Sequence, residues 1–320
     1  MESETRYHPG PDQLALANTI EESVTPLLPF TRLHASHEES DQTWRSLDEI
    51  GIFAITAREE DGGSGLGAVE EALIAMALGR RMVSPTVLAT MGAVHATPEA
   101  GAPALRGQRI AAGFHRGNRI IVVENTGAQW VLVREAVGAA VYAIAGRASR
   151  LIDSRLWLAG LREYATLGEP VARFEPSQLL RLRLIDAAAL AGISQAALDM
   201  AVAYAGVREQ FGRPIGSFQA IKHHCANMAI AASCARDQTS FAAVAVDDGR
   251  EDATLQIESG FWVAGTAALE NAGKNIQIHG GIGFSDEADP HLLLKRAQLL
   301  IACAGGLEAA NRRIANTKAG

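Results

Sequence analysis

The amino-acid sequence predicts a mainly α-helical protein with a small β domain between two helical regions. Apolar residues recur at helical spacing in the first third of the chain, short β-branched runs fill the middle, and the remainder is rich in Ala, Leu, Gln and Arg. The chain has 320 residues, more than a single hydrophobic core usually serves. We therefore expect an N-terminal helical domain over residues 1–105, a β domain over residues 106–173 and a helical bundle over residues 174–320.

The first third of the chain reads as helices separated by polar turns. Apolar residues such as Leu14 and Ile20 fall on one helix face. The segment 60–67, Glu-Asp-Gly-Gly-Ser-Gly-Leu-Gly, predicts a flexible loop because its four glycines permit positive φ at low steric cost. The run of Ala, Leu, Met and Glu over 69–81 predicts a helix that ends before Pro85.

The middle of the chain carries four short apolar runs separated by Gly, Asn and polar residues, a pattern typical of strands in a small sheet or barrel. The runs are Ile110 to Phe114, Ile120 to Val123, Trp130 to Val133 and Ala139 to Ile144. In the following segment, Leu156, Leu158 and Val171 are further candidate strand positions, with glycines as breaks between them.

The last third of the chain contains few helix breakers. Its periodicity predicts three long helices, at about 177–210, 217–247 and 253–278. A shorter helix is expected after Pro290 and another over 297–315. The many alanines in this region favour close helix–helix packing.

Charge and cysteine usage narrow the function classes. The net charge is −7 with both signs interspersed, which gives no reason to expect nucleic-acid or membrane partners. No stretch reaches about 18 consecutive apolar residues, so we expect a soluble, cytoplasmic protein. Cys225, Cys234 and Cys303 lack CxxC spacing and are odd in number, which predicts buried free thiols without a disulfide framework or metal site.

The first chemistry-bearing motif is Arg208-Glu-Gln-Phe-Gly212, followed by Gln219. A guanidinium at a predicted helix end can engage a diphosphate with two parallel hydrogen bonds. Phe211 would cover an aromatic or ribose face. The alternative is a structural helix end, with Arg208 on the last carbonyls of the helix and Phe211 in the core.

The second motif is Gln277-Ile-His-Gly-Gly-Ile-Gly-Phe284. Its glycines offer backbone amides without side-chain obstruction, as close contact with a phosphate or ribose requires. A lone Gly-Gly-x-Gly is more often a turn between helices, but its pairing with Arg208 favours cofactor binding. His279 has no second ligand or acid partner in the pattern and is interpreted as a packing residue.

These motifs, in this order, resemble those of the acyl-CoA dehydrogenases. The resemblance also rests on Trp44-x-x-Leu-x-x-Ile-Gly51, on the glycine loop at 62–67 and on Lys295-Arg296-Ala297. It implies a helical domain, a β domain and a C-terminal four-helix bundle, together with FAD as cofactor. The residues that it implies for the distal, ADP half of an FAD held mainly by a neighbouring subunit are Arg208, Phe211, Gln219, Gln277, Gly280 and Gly281.

The resemblance also exposes a missing base. The family removes the α-proton of an acyl-CoA with a carboxylate, which is indispensable to the reaction. Ala304 occupies the usual position of that carboxylate, and Leu182 occupies the position that some relatives use instead. Glu308 and Asp186 each lie one helical turn beyond these positions, roughly 6 Å away, too far for a proton transfer. We expect Glu308 to be a flavin-rim or structural contact and Asp186 an intra-bundle salt bridge.

The middle region departs from the family as well. Nothing between residues 106 and 173 matches the Thr-Glu-Pro-Gly-Ala-Gly-Ser-Asp-like segment that binds the flavin ring and the thioester, and the β domain looks shortened. The resemblance is closest to the non-catalytic subunit of α2β2 steroid-CoA dehydrogenases. It implies a catalytic partner subunit, and a bulky acyl-CoA substrate at or near the shared interface. The alternatives are a homomeric dehydrogenase with a displaced base and a flavin-free scaffold or CoA-thioester binding protein.

Overall fold

The computed structural model describes residues 6–96, 98–124, 126–135, 138–152 and 158–317. It confirms the predicted fold class, since helical segments at both ends of the chain enclose one small sheet in the middle. Most of the buried apolar residues form one core that runs from the N-terminal helices into the C-terminal bundle. Two smaller cores lie on the two faces of the sheet.

The N-terminal helices start where the sequence provides caps. Ser40 precedes the second helix, and its hydroxyl accepts a hydrogen bond from the backbone N–H of Thr43 at 3.1 Å. The predicted helix over 69–81 is confirmed within one residue at each end. The helices described in this domain are α1 (Pro11–Val24), α2 (Asp41–Glu49), α3 (Ala68–Arg80), α4 (Pro85–Ala93) and α5 (Pro98–Leu105).

The sheet has seven described strands in the order β5-β6-β2-β1-β3-β4-β7, with β1 and β3 parallel and every other pair antiparallel. The strands are β1 (Ile110–Arg116), β2 (Arg119–Val123), β3 (Trp130–Glu135), β4 (Gly138–Ala143), β5 (Arg150–Ile152), β6 (Leu161–Tyr164) and β7 (Ala172–Arg173). The four β-branched runs are thus confirmed as β1 to β4.

The predicted strand positions between β4 and the bundle were wrong for the two residues that the structure describes. Leu158 and Val171 lie in bends, and Leu156 falls outside the described residues. Leu158 is buried in the main core rather than paired in the sheet, so its apolar character reflects packing. Val171 is exposed, and the strand begins one residue later.

The C-terminal region forms the predicted helical bundle. Its helices are α6 (Pro176–Val207), α7 (Gln219–Asp247), α8 (Ala253–His279), α9 (Pro290–Cys303) and α10 (Leu307–Asn316), and a short hairpin, β8 (Glu209–Gln210) and β9 (Arg213–Pro214), joins α6 to α7. The prediction of one helix over 297–315 was wrong, because α9 already includes residues 297–303 and a second helix, α10, begins at Leu307. The chain breaks instead at Gly305 and Gly306, whose φ angles are +91° and +89°.

Glycines set the contact between α3 and α6. A Cβ on Gly192 would lie 2.1 Å from the carbonyl oxygen of Met76, and a Cβ on Gly79 would lie 2.1 Å from that of Ala189. Each glycine therefore faces the backbone of the opposite helix. The main core depends on this close approach, because it joins the N-terminal domain to the bundle.

The glycine loop before α3 also packs against the bundle. The Asp247 carboxylate, at the end of α7, accepts hydrogen bonds from the backbone N–H groups of Ala68 at 2.6 Å and Val69 at 3.0 Å. It thereby caps the N-terminus of α3, where negative charge is favoured. A Cβ on Gly67 would lie 2.7 Å from this carboxylate, so a side chain there would displace the carboxylate from the amides that it caps.

Helix α6 is long and apolar enough to cross a membrane by length and composition alone. However, 72% of its most apolar window is buried inside the fold. This burial is typical of the core helix of a soluble protein.

The three cysteines are free. Cys303 is buried as predicted, but Cys225 is only partly buried and Cys234 is exposed, so the prediction was wrong for these two. Within the described residues, no group of three or more His, Cys, Asp or Glu side chains could hold a metal ion.

Candidate functional site

The two sequence motifs meet at one end of the bundle. The rings of Tyr204 and His279 stack with centroids 4.0 Å apart, and the carbonyl oxygen of Tyr204 accepts the backbone N–H of Arg208 at 2.9 Å. Gly280 follows His279 directly, so the C-termini of α6 and α8 lie side by side. We call the six predicted cofactor residues at this end the distal clamp: Arg208, Phe211, Gln219, Gln277, Gly280 and Gly281. All six are exposed.

Arg208 is free to meet a ligand. It caps α6 with an extended backbone. Among the described residues, no hydrogen bond or ion pair engages its guanidinium. The backbone N–H of Arg208, rather than its side chain, donates to a carbonyl at the helix end. The alternative in which the guanidinium binds the last carbonyls of the helix is therefore not observed among the described residues.

Phe211 and Gly212 form the two-residue turn between β8 and β9, a hairpin turn in which both central residues have positive φ. Phe211 has φ +54°, a left-handed conformation that is costly for a residue with a side chain. The side chain is 92% exposed, so it contributes little to the core. Its ring meets the edge of Phe218 at 6.1 Å between centroids, and Arg213 lies over the Phe218 ring at 4.2 Å. The turn therefore presents an aromatic face to whatever binds at this end.

His279 behaves as the predicted packing residue. Besides stacking on Tyr204, its Nδ1 lies 2.8 Å from the carbonyl oxygen of Asn275. Burial lowers the pKa of His279, which favours the neutral ring at this helix end.

The second motif leaves open backbone. Gly280 has φ +67° with ψ −143°, a region that only glycine enters readily. Gly281 has no such requirement, and a Cβ on it would meet nothing within 4 Å. Neither packing nor backbone conformation thus explains glycine at position 281. Close approach of a ligand to the backbone would explain it.

The positions expected to hold the base lie together elsewhere, in a cavity of about 620 Å³ between the sheet, α6 and the turn from α9 to α10. Leu182 and Ala304 both line this space, which we call the central cavity. Neither side chain can accept a proton. The structure thus places the two positions on the wall of the same cavity, and neither carries an ionisable group.

The neighbouring carboxylates are committed to other contacts. The Asp186 carboxylate lies 2.5 Å from an Arg134 guanidinium nitrogen, and Glu308 pairs with Arg312 at 2.6 Å on the exposed side of α10. Burial raises the pKa of Asp186, and Arg134 opposes that shift. Since Arg134 belongs to β3, the expectation of an intra-bundle salt bridge was wrong: Asp186 joins the bundle to the sheet.

The region next to the central cavity is closely packed. A separate cavity of about 20 Å³, lined by Asp186 and Cys303 among others, is too small for an acyl chain. Leu182 packs against α4, where a Cβ on Gly92 would lie 2.4 Å from its methyl group. Burial raises the pKa of the Cys303 thiol, which therefore stays protonated and is a poor substitute base.

Arginines surround the central cavity, and the sequence motifs did not reveal them. Arg134, Arg183 and Arg313 line it, and the last two both donate to Glu258 on α8, which is 1% exposed. Burial lowers the pKa of Arg183, and the Glu258 carboxylate opposes this shift. The sequence of α8 contains two glutamates, and only the fold shows that Glu258 is buried while Glu270 is exposed. A buried carboxylate requires a cationic partner, which the two arginines provide.

Sequence comparison identifies the fold's family. Residues 11–108 match the family model for the acyl-CoA dehydrogenase N-terminal domain, and residues 176–318 match that for the C-terminal domain. The chain belongs to the acyl-CoA dehydrogenase family. The sheet region of this family member lies between the two matched segments.

Individual relatives agree with this placement. Acyl-CoA dehydrogenase FadE34 of Mycobacterium tuberculosis is 33% identical over 88% of the chain, which spans 44% of the length of FadE34. The ChsE4-ChsE5 complex of Mycobacterium tuberculosis superposes with a TM-score of 0.79, 23% identity and coverage of 98% of this chain and 100% of the other. The Tcur3481-Tcur3483 steroid ACAD gives a TM-score of 0.78, 21% identity and coverage of 95% and 97%. Both structures establish the acyl-CoA dehydrogenase fold.

Members of the acyl-CoA dehydrogenase family are FAD-dependent flavoproteins. The distal clamp fits the diphosphate half of this cofactor, because it combines a guanidinium that no described residue engages, an exposed aromatic ring and unobstructed backbone amides. The roles of the individual clamp residues remain a prediction.

Proposed function

We propose that the chain is the non-catalytic subunit of a heteromeric, FAD-dependent acyl-CoA dehydrogenase. The observation that carries this proposal is the central cavity, in which Leu182 and Ala304 occupy both base positions. The other carboxyl groups near it are engaged by arginines. An enzyme that must abstract an α-proton cannot work without a base, so a partner has to supply one.

The proposal divides the work between two chains. The distal clamp holds the diphosphate: Arg208 provides the charge, Phe211 covers the nucleoside and the amides at Gly280 and Gly281 approach the phosphate oxygens. FAD, when bound, supplies the acceptor for the hydride that leaves the β-carbon of the acyl group. The partner contributes the base, the thioester pocket and the surroundings of the flavin ring.

Two structural neighbours favour a heteromer. The ChsE4-ChsE5 complex and the Tcur3481-Tcur3483 steroid ACAD are each named for two components. We infer an α2β2 assembly with an acyl-CoA substrate at or near the shared interface. The second neighbour supports a steroid-derived or similarly bulky CoA thioester, handled in the cytoplasm.

The substitution Ala304→Glu tests whether the base alone is missing. We expect the purified variant to show no acyl-CoA-dependent bleaching of flavin and no turnover, because nothing between residues 106 and 173 matches the segment that binds the flavin ring and the thioester in the family. The measurement is anaerobic titration with acyl-CoA thioesters, with the unmodified chain as control. Turnover by the variant in the absence of a partner would contradict the proposal.

Co-purification tests the proposal as a whole. The chain is expressed alone and together with the product of an adjacent acyl-CoA dehydrogenase gene, and the visible spectrum and native mass are recorded. We expect flavin absorbance and a larger assembly only in the mixed sample. One FAD per chain in the solitary sample, with bleaching by acyl-CoA, would establish a homomeric enzyme with a displaced base. Lack of flavin in both samples would favour a scaffold or CoA-thioester binding protein.

A further inference from the structure

The central cavity carries a positive charge for which the proposed function has no use. Arg183 comes from α6 and Arg313 from α10, and both donate to the same Oε1 of Glu258, Arg313 at 2.8 Å. Their side chains are 20% and 28% exposed. One buried carboxylate thus serves two guanidinium groups, which leaves one positive charge at the wall of the cavity.

The remaining charges near the cavity cancel in pairs. Arg134 pairs with Asp186 at 2.5 Å, and Arg173 pairs with Glu135 at 2.8 Å. Among the described residues, these four arginines therefore face only three carboxylates, counting Glu258. One excess positive charge on partly buried side chains is unfavourable, and an anionic ligand would relieve that cost.

The volume and lining of the cavity indicate the size and polarity of the remainder of the ligand. Its volume of about 620 Å³ falls within the usual range for small-molecule sites. Apart from the charged residues, much of its wall is apolar: Phe114, Leu179, Leu182, Ala302, Ala304 and Ala309. The site therefore suits a molecule with a hydrocarbon body and a single negative group.

We propose that the central cavity is a binding site for an apolar monocarboxylate. The carboxylate lies against Arg183 and Arg313, which offer planar donor groups suited to it. The hydrocarbon body lies against Leu182 and Ala304. The loss of the glutamate at position 304 is what permits this use, because a carboxylate there would repel the ligand. The inference needs neither flavin nor a partner subunit.

Isothermal titration calorimetry on the full purified chain tests the inference directly. The probes are decanoate, decanol and decyltrimethylammonium, each below its micelle concentration. We expect saturable one-to-one binding of decanoate, at least about tenfold weaker binding of decanol and no binding of the cation. Equal binding of decanoate and decanol, or no binding of decanoate, would overturn the proposal. Since no flavin or partner is present, neither result bears on the proposed dehydrogenase role.

Matched variants locate the site. Arg183→Met and Arg313→Met each leave Glu258 with one arginine, so the pair stays neutral and the fold is preserved. We expect each variant to bind decanoate at least about tenfold more weakly. Arg312→Met, at the neighbouring position but paired with exposed Glu308, should bind within about twofold of the unmodified chain. Equal weakening by all three variants would place the carboxylate elsewhere and refute the assignment.

Discussion

Replacement of Arg208 by alanine is expected to weaken retention of FAD by the assembled complex by about 2 to 4 kcal/mol, roughly thirty- to several-hundredfold in dissociation constant. The reason is the isolation of this guanidinium, for which no partner exists among the described residues of its own chain. Docking of the partner would remove water from around the arginine and the diphosphate. A charge-assisted contact is strongest under those conditions.

The measurement is the flavin-to-protein ratio after gel filtration, followed by titration of the stripped complex with FAD. Arg213→Ala is the matched control, because Arg213 lies on the same hairpin but packs over Phe218. We expect the control to retain FAD like the unmodified complex. Unchanged flavin content in Arg208→Ala, or the same loss in both variants, would remove Arg208 from the site.

Replacement of Gly192 by alanine is expected to destabilise the chain by about 3 kcal/mol or more. The added Cβ would lie 2.1 Å from the carbonyl oxygen of Met76 and 2.6 Å from the backbone nitrogen of Arg80. Both neighbours are backbone atoms of α3, so the clash cannot be relieved by a side-chain rotation. Relief requires α3 and α6 to move apart, which opens the main core.

Gly206→Ala provides the control on the same helix. A Cβ at that position would meet nothing within 4 Å, and alanine has the higher helix propensity. We expect this variant to be as stable as the unmodified chain or more stable by up to about 1 kcal/mol. Urea unfolding followed by circular dichroism gives both values. Similar midpoints for the two variants would show that α3 and α6 can separate without cost.

Local patterns predicted much of the fold. Strands β1 to β4 were visible as β-branched runs because their side chains pack on a half-buried sheet. The three longest helices were visible through periodicity, and their predicted starts lie within two residues of Pro176, Gln219 and Ala253. The end of α9 was missed because helical periodicity continued into the next segment, although Gly305 and Gly306 mark a stop.

The surroundings of the cavity could not be predicted in the same way. Contacts such as that of Arg134 with Asp186 join residues far apart in sequence, and only the assembled fold brings them together. The family resemblance identified Leu182 and Ala304 as the residues at the two positions of the missing base. It gave no indication that Arg183 and Arg313 share Glu258, since charged residues on helices usually face solvent.

Helix α7 begins at Gln219, in the distal clamp, and ends at Asp247, which holds the first amides of α3. Its 29 residues make a rod roughly 43 Å long, without a proline. If α7 moves as a rigid helix, a tilt at its Gln219 end also displaces its Asp247 end. The exchange rates of the Ala68 and Val69 amide hydrogens would therefore report, from the far side of the molecule, whether the cofactor tip is occupied.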